Sequence, residues 1–363
     1  MHVVRGVLKE YDWGVVDGLS RWAGQTGGPQ AELWFGNHPS GDCEVVRGPE
    51  AGRRLGEFRD HDGMPMVKLL AASTPLSLQV HPDADTSRAG WERQRAEPTG
   101  QRLFADDREK SEMLVALAPF DTHAGWRDPG DAAAVLEAAG SPADIVAAVR
   151  SGRREDAIRA MLALGDGVCG PIVRQLVAAA TTAGWSPDAV SALARVAATF
   201  PGDPGVLVTV LLDHVLLAPG QALAMPAGVV HSYVYGLGVE VMTSSDNVLR
   251  LGLTEKPIAV DAALASLRDD RAPLALGGFA GEVLQPPGLP FRLVLADQPV
   301  EAVSGSHRVV LSLHGQTTVS AGDADDVIDE GEAAILCPGD PDAQIRPSGS
   351  AVVVAGDVGQ LPG

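Results

Sequence analysis

Basic residues, aromatic rings, cysteines and long apolar runs are all scarce in this chain, and the shortages narrow what it can do. Lys and Arg number 28 against 47 Asp and Glu, a net charge of −19. A nucleic-acid or anionic-membrane partner needs basic surface, so neither is expected. An anionic substrate would have to be met by a local cluster of Lys and Arg. Cys43, Cys169 and Cys337 are odd in number and far apart. They form neither a disulfide framework nor a paired-cysteine metal motif, which fits a reduced cytoplasm, and they read as small apolar residues in the interior. The opening "MHVVRGVLKEYDWG" has no apolar core of signal-peptide length. The most apolar stretch, "GVLVTVLLDHVLLAPG", is broken by Asp213 and His214 and is too short to span a bilayer. A soluble, cytoplasmic protein is the expectation.

Aromatics make up only 4% of the chain, but total hydrophobic content of 45% is ample for folding. At 363 residues the chain is too long for one compact core, so two or three domains are expected. Its 42 Gly and 26 Pro imply many turns and suit short strands. Residues 1–127 read as strands and turns, in runs such as "AELWFGNHPSG", "MVKLLAAS", "PLSLQVHPD" and "SEMLVALAPF". Residues 128–203 are Ala-rich with helical spacing; several runs open on Asp or Ser with Pro just inside and close on Gly. Strand texture returns over 204–262, with a short helical pattern in "VDAALASLRDD", and continues over 263–363. The runs "PGQALAMPAG" and "EGEAAILCPGD" are alike in form, which suggests two related β-barrels in one chain. The second has no His following its run.

"PLSLQVHPD" alternates apolar Leu76, Leu78 and Val80 with polar Ser77, Gln79 and His81. A strand turns alternate side chains to opposite faces, so the three polar groups share one face, and Pro82 ends the strand. "SEMLVALAPF" places Glu112 at the head of a similar strand, and "VVHSYVYG" places His231 and Tyr233 on one face. Inward faces of different barrel strands converge. Gln79, His81, Glu112 and His231 can therefore surround one metal ion with nitrogen and oxygen ligands. Spacing alone does not separate this from core histidines that simply hydrogen-bond.

"PLSLQVHPD", "SEMLVALAPF" and "PAGVVHSYVYGLGVEVMTSSDNVLRLGLTEK" together resemble the type I phosphomannose isomerases, and "YDWG" and "AELWFGNHPSG" match that family's opening motifs. The likeness runs from about Tyr11 to Lys256, across the helical block. It implies two cupin-type (jelly-roll) barrels plus an α-helical insert: a catalytic barrel from 1–127 and 204–262, an insert at 128–203, and a C-terminal barrel at 263–363 without a metal site. It also implies one divalent metal ion per chain, most simply zinc, on Gln79, His81, Glu112 and His231, and the interconversion of mannose 6-phosphate and fructose 6-phosphate.

That reaction moves a proton between carbon 2 and carbon 1 through an enediol, and a fixed cation where oxygen becomes negative lowers the barrier. Neutral Gln79 beside a single carboxylate keeps such a site positive. Arg250 is similar to the family's catalytic arginine, and its guanidinium stays charged and forks onto oxygens. Lys68, Lys110 and Lys256 are cations at family-matching positions, each otherwise an ordinary solvated Lys. Ser77 falls near the phosphate end by resemblance; the alternative is a hydroxyl bonded to a neighbouring strand. Glu240 and Tyr233 match cleft residues. Glu240 acts either as general base or by orienting a ligand, with Lys110 the competing base. Trp13 walls the cleft or packs beneath it. Asp246 and Asn247 read as loop-shaping, and His2, His38, His61, His123, His214, His307 and His314 as structural or exposed. The sequence departs from the family at Glu255, where Pro is usual, and at "REKSE" before the second strand.

A non-catalytic sugar-phosphate binder on the same barrel is the alternative function. It needs neither the ligand set nor Arg250, and all five residues are present. A cupin dioxygenase using iron is weaker still, since it has no use for phosphate-directed cations. The oligomeric state is not given by the sequence; a monomer is the expectation.

Overall fold

In the computed structural model, which describes residues 1–48, 50–58, 63–97, 101–278 and 281–356, the twelve-residue strand His231–Met242 organises the fold. Its first part pairs antiparallel with Phe120–Trp126, and His231 stands opposite Gln79 of the short strand Leu78–Val80. Its second part, from Gly236 on, runs between Met66–Ala72 and Glu112–Ala116. The change of partners happens at Gly236, where φ is 146° and an added Cβ would lie 2.5 Å from the Phe120 ring. Only glycine gives both that conformation and that clearance.

Among the described residues eleven strands join in this sheet. Its main path runs Leu274–Leu276, Ala222–Met225, Glu112–Ala116, His231–Met242, Met66–Ala72, Glu32–Phe35 and Val7–Lys9. Met66–Ala72 is buried on both faces, as its unbroken apolar run requires apart from Lys68. A second sheet of seven strands contains Phe291–Ala296, Ser350–Gly356, Arg308–His314 and Glu332–Leu336. Val67, Leu69 and Val239 of the first sheet share one apolar core with Leu311, Ile335 and Val352 of the second. The second sheet's other face packs Val310 and Val353 against Val319 and Ile345 of a four-stranded sheet.

Helices fill much of the region read as helical: Pro129–Ala138, Ala143–Arg150, Arg154–Leu162, Asp166–Thr182 and Pro187–Thr199. Asp128 caps the first of these by accepting from Gly130 N and Asp131 N, and Ser186 caps the last by accepting from Ala189 N; each is followed by Pro. Their apolar stripes pack together with Leu78, Val80 and Leu249 from the strands. Among the described residues no single helix is long and apolar enough to cross a membrane.

The segmentation read from the sequence differs from the fold at three places. Ala84–Ala96, inside the region taken as strands and turns, is a helix capped by Asp83. Its run "ADTSRAGWERQRA" carries almost no apolar stripe, so periodicity could not reveal it. His2–Arg5 and Glu44–Arg47, assigned to the first barrel, complete the seven-stranded sheet beside Glu332–Leu336. Leu274–Leu276, assigned to the C-terminal part, pairs with Ala222–Met225 in the first sheet. Strand exchange between distant segments leaves no trace in local alternation.

Candidate metal centre and cleft

Three strand ends meet at one point. His81 follows Leu78–Val80 at the stop set by Pro82, Glu112 opens Glu112–Ala116, and His231 opens the long strand. Each imidazole donates its Nδ1–H to a backbone carbonyl: His81 to Asn247 O at 2.9 Å and His231 to Val229 O at 3.0 Å. In the neutral ring that leaves the Nε2 lone pair free. Both Nε2 atoms turn on one carboxylate, His81 at 3.2 Å from Glu112 Oε2 and His231 at 2.9 Å from Oε1. All three residues are buried, and their ligand atoms lie within 4.8 Å of one another.

His81 Nε2 and Glu112 Oε2 are buried yet make no hydrogen bond. Burial, and then the Lys110 ammonium, push the His81 pKa down to about 3, so its ring is neutral. Burial alone would raise the Glu112 carboxyl, but Lys110 at 3.4 Å leads the charges that hold it well below its ordinary range. A lone pair facing a carboxylate oxygen with no proton between them is unfavourable unless a cation lies there. Two imidazole nitrogens and a carboxylate are the donors a divalent transition ion takes, so the residues fit such an ion. Gln79 lies beside this group: its amide nitrogen is 3.3 Å from His231 Nε2, and the opposite amide orientation would present Oε1 there.

Above this point opens a cleft of about 990 Å³, lined by Gln79, Ser77, Lys68, Lys110, Arg250 and Lys256 among others. That is the upper end of the range for small-molecule sites. Arg250 is half-buried and has no ion-pair or side-chain hydrogen-bond partner among the described residues; burial lowers its pKa. Lys68 is held between two carboxylates, Glu240 at 2.9 Å and Glu32 at 3.4 Å. Burial works against its charge, but Glu240 and Glu32 outweigh that and raise its pKa. Tyr233 donates to Glu112 Oε1 at 3.2 Å, and burial together with Glu112 and Glu240 keeps its hydroxyl protonated. Ser77 Oγ donates to Gln79 Oε1 at 3.4 Å. Trp13 lines the cleft and also packs on the cluster around Phe120 and Tyr233.

Several lining residues escaped the sequence reading. Glu32 and Trp34 share a strand face, and Trp34 stands opposite Lys68. Trp34 Nε1 donates to Glu32 Oε2 at 2.9 Å, so the strand supplies an anchored carboxylate to Lys68. The alternation in "AELWFG" shows that Glu32 and Trp34 share a face, but not that the face meets Lys68. His38, read as structural or exposed, is nearly buried in the cleft wall and pairs with Asp246 Oδ2 at 2.9 Å. Asp246 thereby does more than shape its loop. Asn247 does shape it, bonding Ala105 N and Arg108 O, and its own carbonyl orients His81. Cys43 and Cys169 are buried, whereas Cys337 is partly exposed. His61 lies outside the described residues.

The family model described as "Phosphomannose isomerase type I, catalytic domain" matches residues 1–129. The chain is similar to the mannose-6-phosphate isomerase of Salmonella typhimurium, with 27% identity over 77% of this chain and 76% of that one. It is similar to the mannose-6-phosphate isomerase of Escherichia coli (strain K12), with 26% identity over 96% and 94% of the two chains. A crystal structure described as mannose 6-phosphate isomerase, holo and zinc bound, superposes with a TM-score of 0.81 at 22% identity, covering 98% of this chain and all of that one. That last likeness is one of fold.

Proposed function

The chain belongs to the type I phosphomannose isomerase family, and from that premise we infer that it interconverts mannose 6-phosphate and fructose 6-phosphate with one zinc ion per chain. The observation that carries this reading is the pair of Nε2 atoms turned on the single buried carboxylate of Glu112, which touches Tyr233 and Lys110 of the cleft lining.

In this reading His81, His231, Glu112 and Gln79 hold the ion, which supplies positive charge where a substrate oxygen becomes negative. Gln79 is neutral, so the donor set brings only the one negative charge of Glu112. Tyr233 fixes that carboxylate through its hydroxyl. Arg250, with no carboxylate to satisfy it, forks onto the enediolate oxygens that form when the carbon-bound proton leaves. Glu240 carries the proton between carbon 2 and carbon 1, oriented by Lys68. Lys110 and Arg250 share the developing charge, while Lys256 and Ser77 meet the phosphate and Trp13 walls the sugar. The net charge of −19 does not oppose this, because charges beyond a Debye length of about 8–10 Å are largely screened.

The two larger sheets and their facing cores support two cupin-type barrels, with residues 128–203 as an inserted helical domain between the parts 1–127 and 204–262 of the catalytic barrel and 263–363 forming the second. The strand exchanges at both ends qualify those limits. A monomer in the cytoplasm completes the proposal. The deciding experiment pairs metal content by mass spectrometry with mannose 6-phosphate turnover in a coupled assay. Turnover is expected to follow bound metal, and full activity of metal-free protein would overturn the reading.

A further inference from the structure

The turn that carries Lys256 to the cleft is held from outside the sheet. After the strand Leu249–Gly252 the backbone passes through Gly252 at φ 138° and Leu253 at φ 56°. The second is a left-handed conformation that a non-glycine residue adopts only when its surroundings impose it. Leu253 is 2% exposed and packs into the helical core.

Two contacts from the exit of the helical block impose the turn. Gly205 and Gly252 are pressed together: a Cβ on Gly252 would sit 2.5 Å from Gly205 Cα. Beside them the Asp203 carboxylate bridges two segments, accepting from Gly205 N at 2.7 Å and from Thr254 N at 3.2 Å. Thr254 Oγ1 in turn accepts the backbone N–H of Lys256 at 3.1 Å. One carboxylate is thus linked through two hydrogen bonds to the backbone that aims Lys256. Phe200, at the end of Pro187–Thr199, lines the same cleft.

We propose that Asp203 is a positioning residue for phosphate binding: it fixes the Thr254–Lys256 turn so that Lys256 faces the phosphate of the substrate. The helical block then belongs to the substrate site instead of being an appendage to the barrel. This rests on reading the cleft as a phosphosugar site. The chemistry is specific to a carboxylate, because a charged acceptor holds a backbone N–H more strongly than a neutral one and can serve both segments at once.

The test is steady-state kinetics on the zinc-loaded enzyme with mannose 6-phosphate, for Asp203→Ala, Asp203→Asn, Lys256→Ala and the Asp203→Ala/Lys256→Ala pair. Asp203→Ala is expected to raise KM about tenfold and to change kcat by less than about twofold. In the Lys256→Ala background the same change is expected to add less than about twofold, since Asp203 acts through Lys256. Asp203→Asn keeps the shape but loses one of the two accepted bonds, so it shows a smaller KM rise and the same non-additivity, even where the Ala variant folds poorly. A wild-type KM in both Asp203 variants, effects that multiply in the double variant, or a loss confined to kcat would each overturn the positioning role. Lys256→Ala alone separates the two layers: an unchanged KM there removes Lys256 from the phosphate site and the proposal with it. A raised KM there with silent Asp203 variants overturns only the role of Asp203.

Discussion

Arg250 stands directly opposite Gln79 in the antiparallel pairing of Leu249–Gly252 with Leu78–Val80. Partners so placed have Cα atoms only about 4.5–5.5 Å apart. The unpaired guanidinium and a proposed metal ligand are therefore fixed by one register, and a slip of either strand by one residue would send its side chain to the other face and part the two. This pairing sets Arg250 beside the polar face of "PLSLQVHPD".

Removing that cation should separate chemistry from structure. Arg250→Ala is expected to keep its fold and its bound metal while kcat falls about a hundredfold or more, the scale seen when one transition-state donor is lost. Arg250→Lys should recover little, because an ammonium lacks the planar fork. Circular dichroism, metal analysis and the coupled assay check this; wild-type turnover in either variant would take Arg250 out of the mechanism.

The donor set should respond unequally. His81→Ala and His231→Ala are each expected to lose most of the bound metal, since each removes one of four ligands. Gln79→Ala should lose less, because its amide brings no charge to the site. Mass spectrometry after dialysis gives the stoichiometry, and a His81→Ala protein that keeps a full equivalent would contradict the assignment.

Lys68 holds two nearly buried carboxylates together, Glu240 at 2.9 Å and Glu32 at 3.4 Å. Lys68→Met leaves both without their cation, at an expected cost of about 3–5 kcal/mol. Adding Glu240→Gln should return part of that stability. Urea midpoints measure both steps, and a Lys68→Met protein as stable as wild type would refute the coupling.

His123 gives the fold a pH dependence away from the cleft. Burial, then His214 and Arg127, push its pKa down to about 3 from the ordinary 6.5. As pH drops below 6.5 the unfolded chain takes up a proton that the folded chain refuses. Stability from this group is full above 6.5 and is lost progressively down to about 3. Between pH 7 and pH 5 the loss is about 2 kcal/mol, and His123→Gln should remove it. Urea midpoints at the two pH values test this; an unchanged difference in the variant would show that His123 is not the group responsible.

Period-2 alternation made much of the site legible. It put Gln79 and His81 on one face, set Glu112 and His231 at strand heads, and left only the convergence to be inferred. Helix signals were equally plain where Asp128 and Ser186 precede Pro. Glu32 and His38 were harder to see. Glu32 matters because of the register between Glu32–Phe35 and Met66–Ala72, and His38 because a loop more than 200 residues later brings Asp246 to it. Such pairings are decided by the whole sheet and are not written in any one segment. The helix Ala84–Ala96 shows the converse limit, since a polar, exposed helix has no pattern to display.

The strand His2–Arg5 lies inside the seven-stranded sheet, between Glu332–Leu336 and Glu44–Arg47. It is made more than 300 residues before its central neighbour, Glu332–Leu336. At about 5–20 residues per second His2–Arg5 waits for tens of seconds with one edge uncovered. Cutting the gene at 263 would not yield two self-sufficient halves, for the C-terminal piece would lack two strands of its own sheet. The seven-stranded sheet therefore cannot be completed until Glu332–Leu336 has been made.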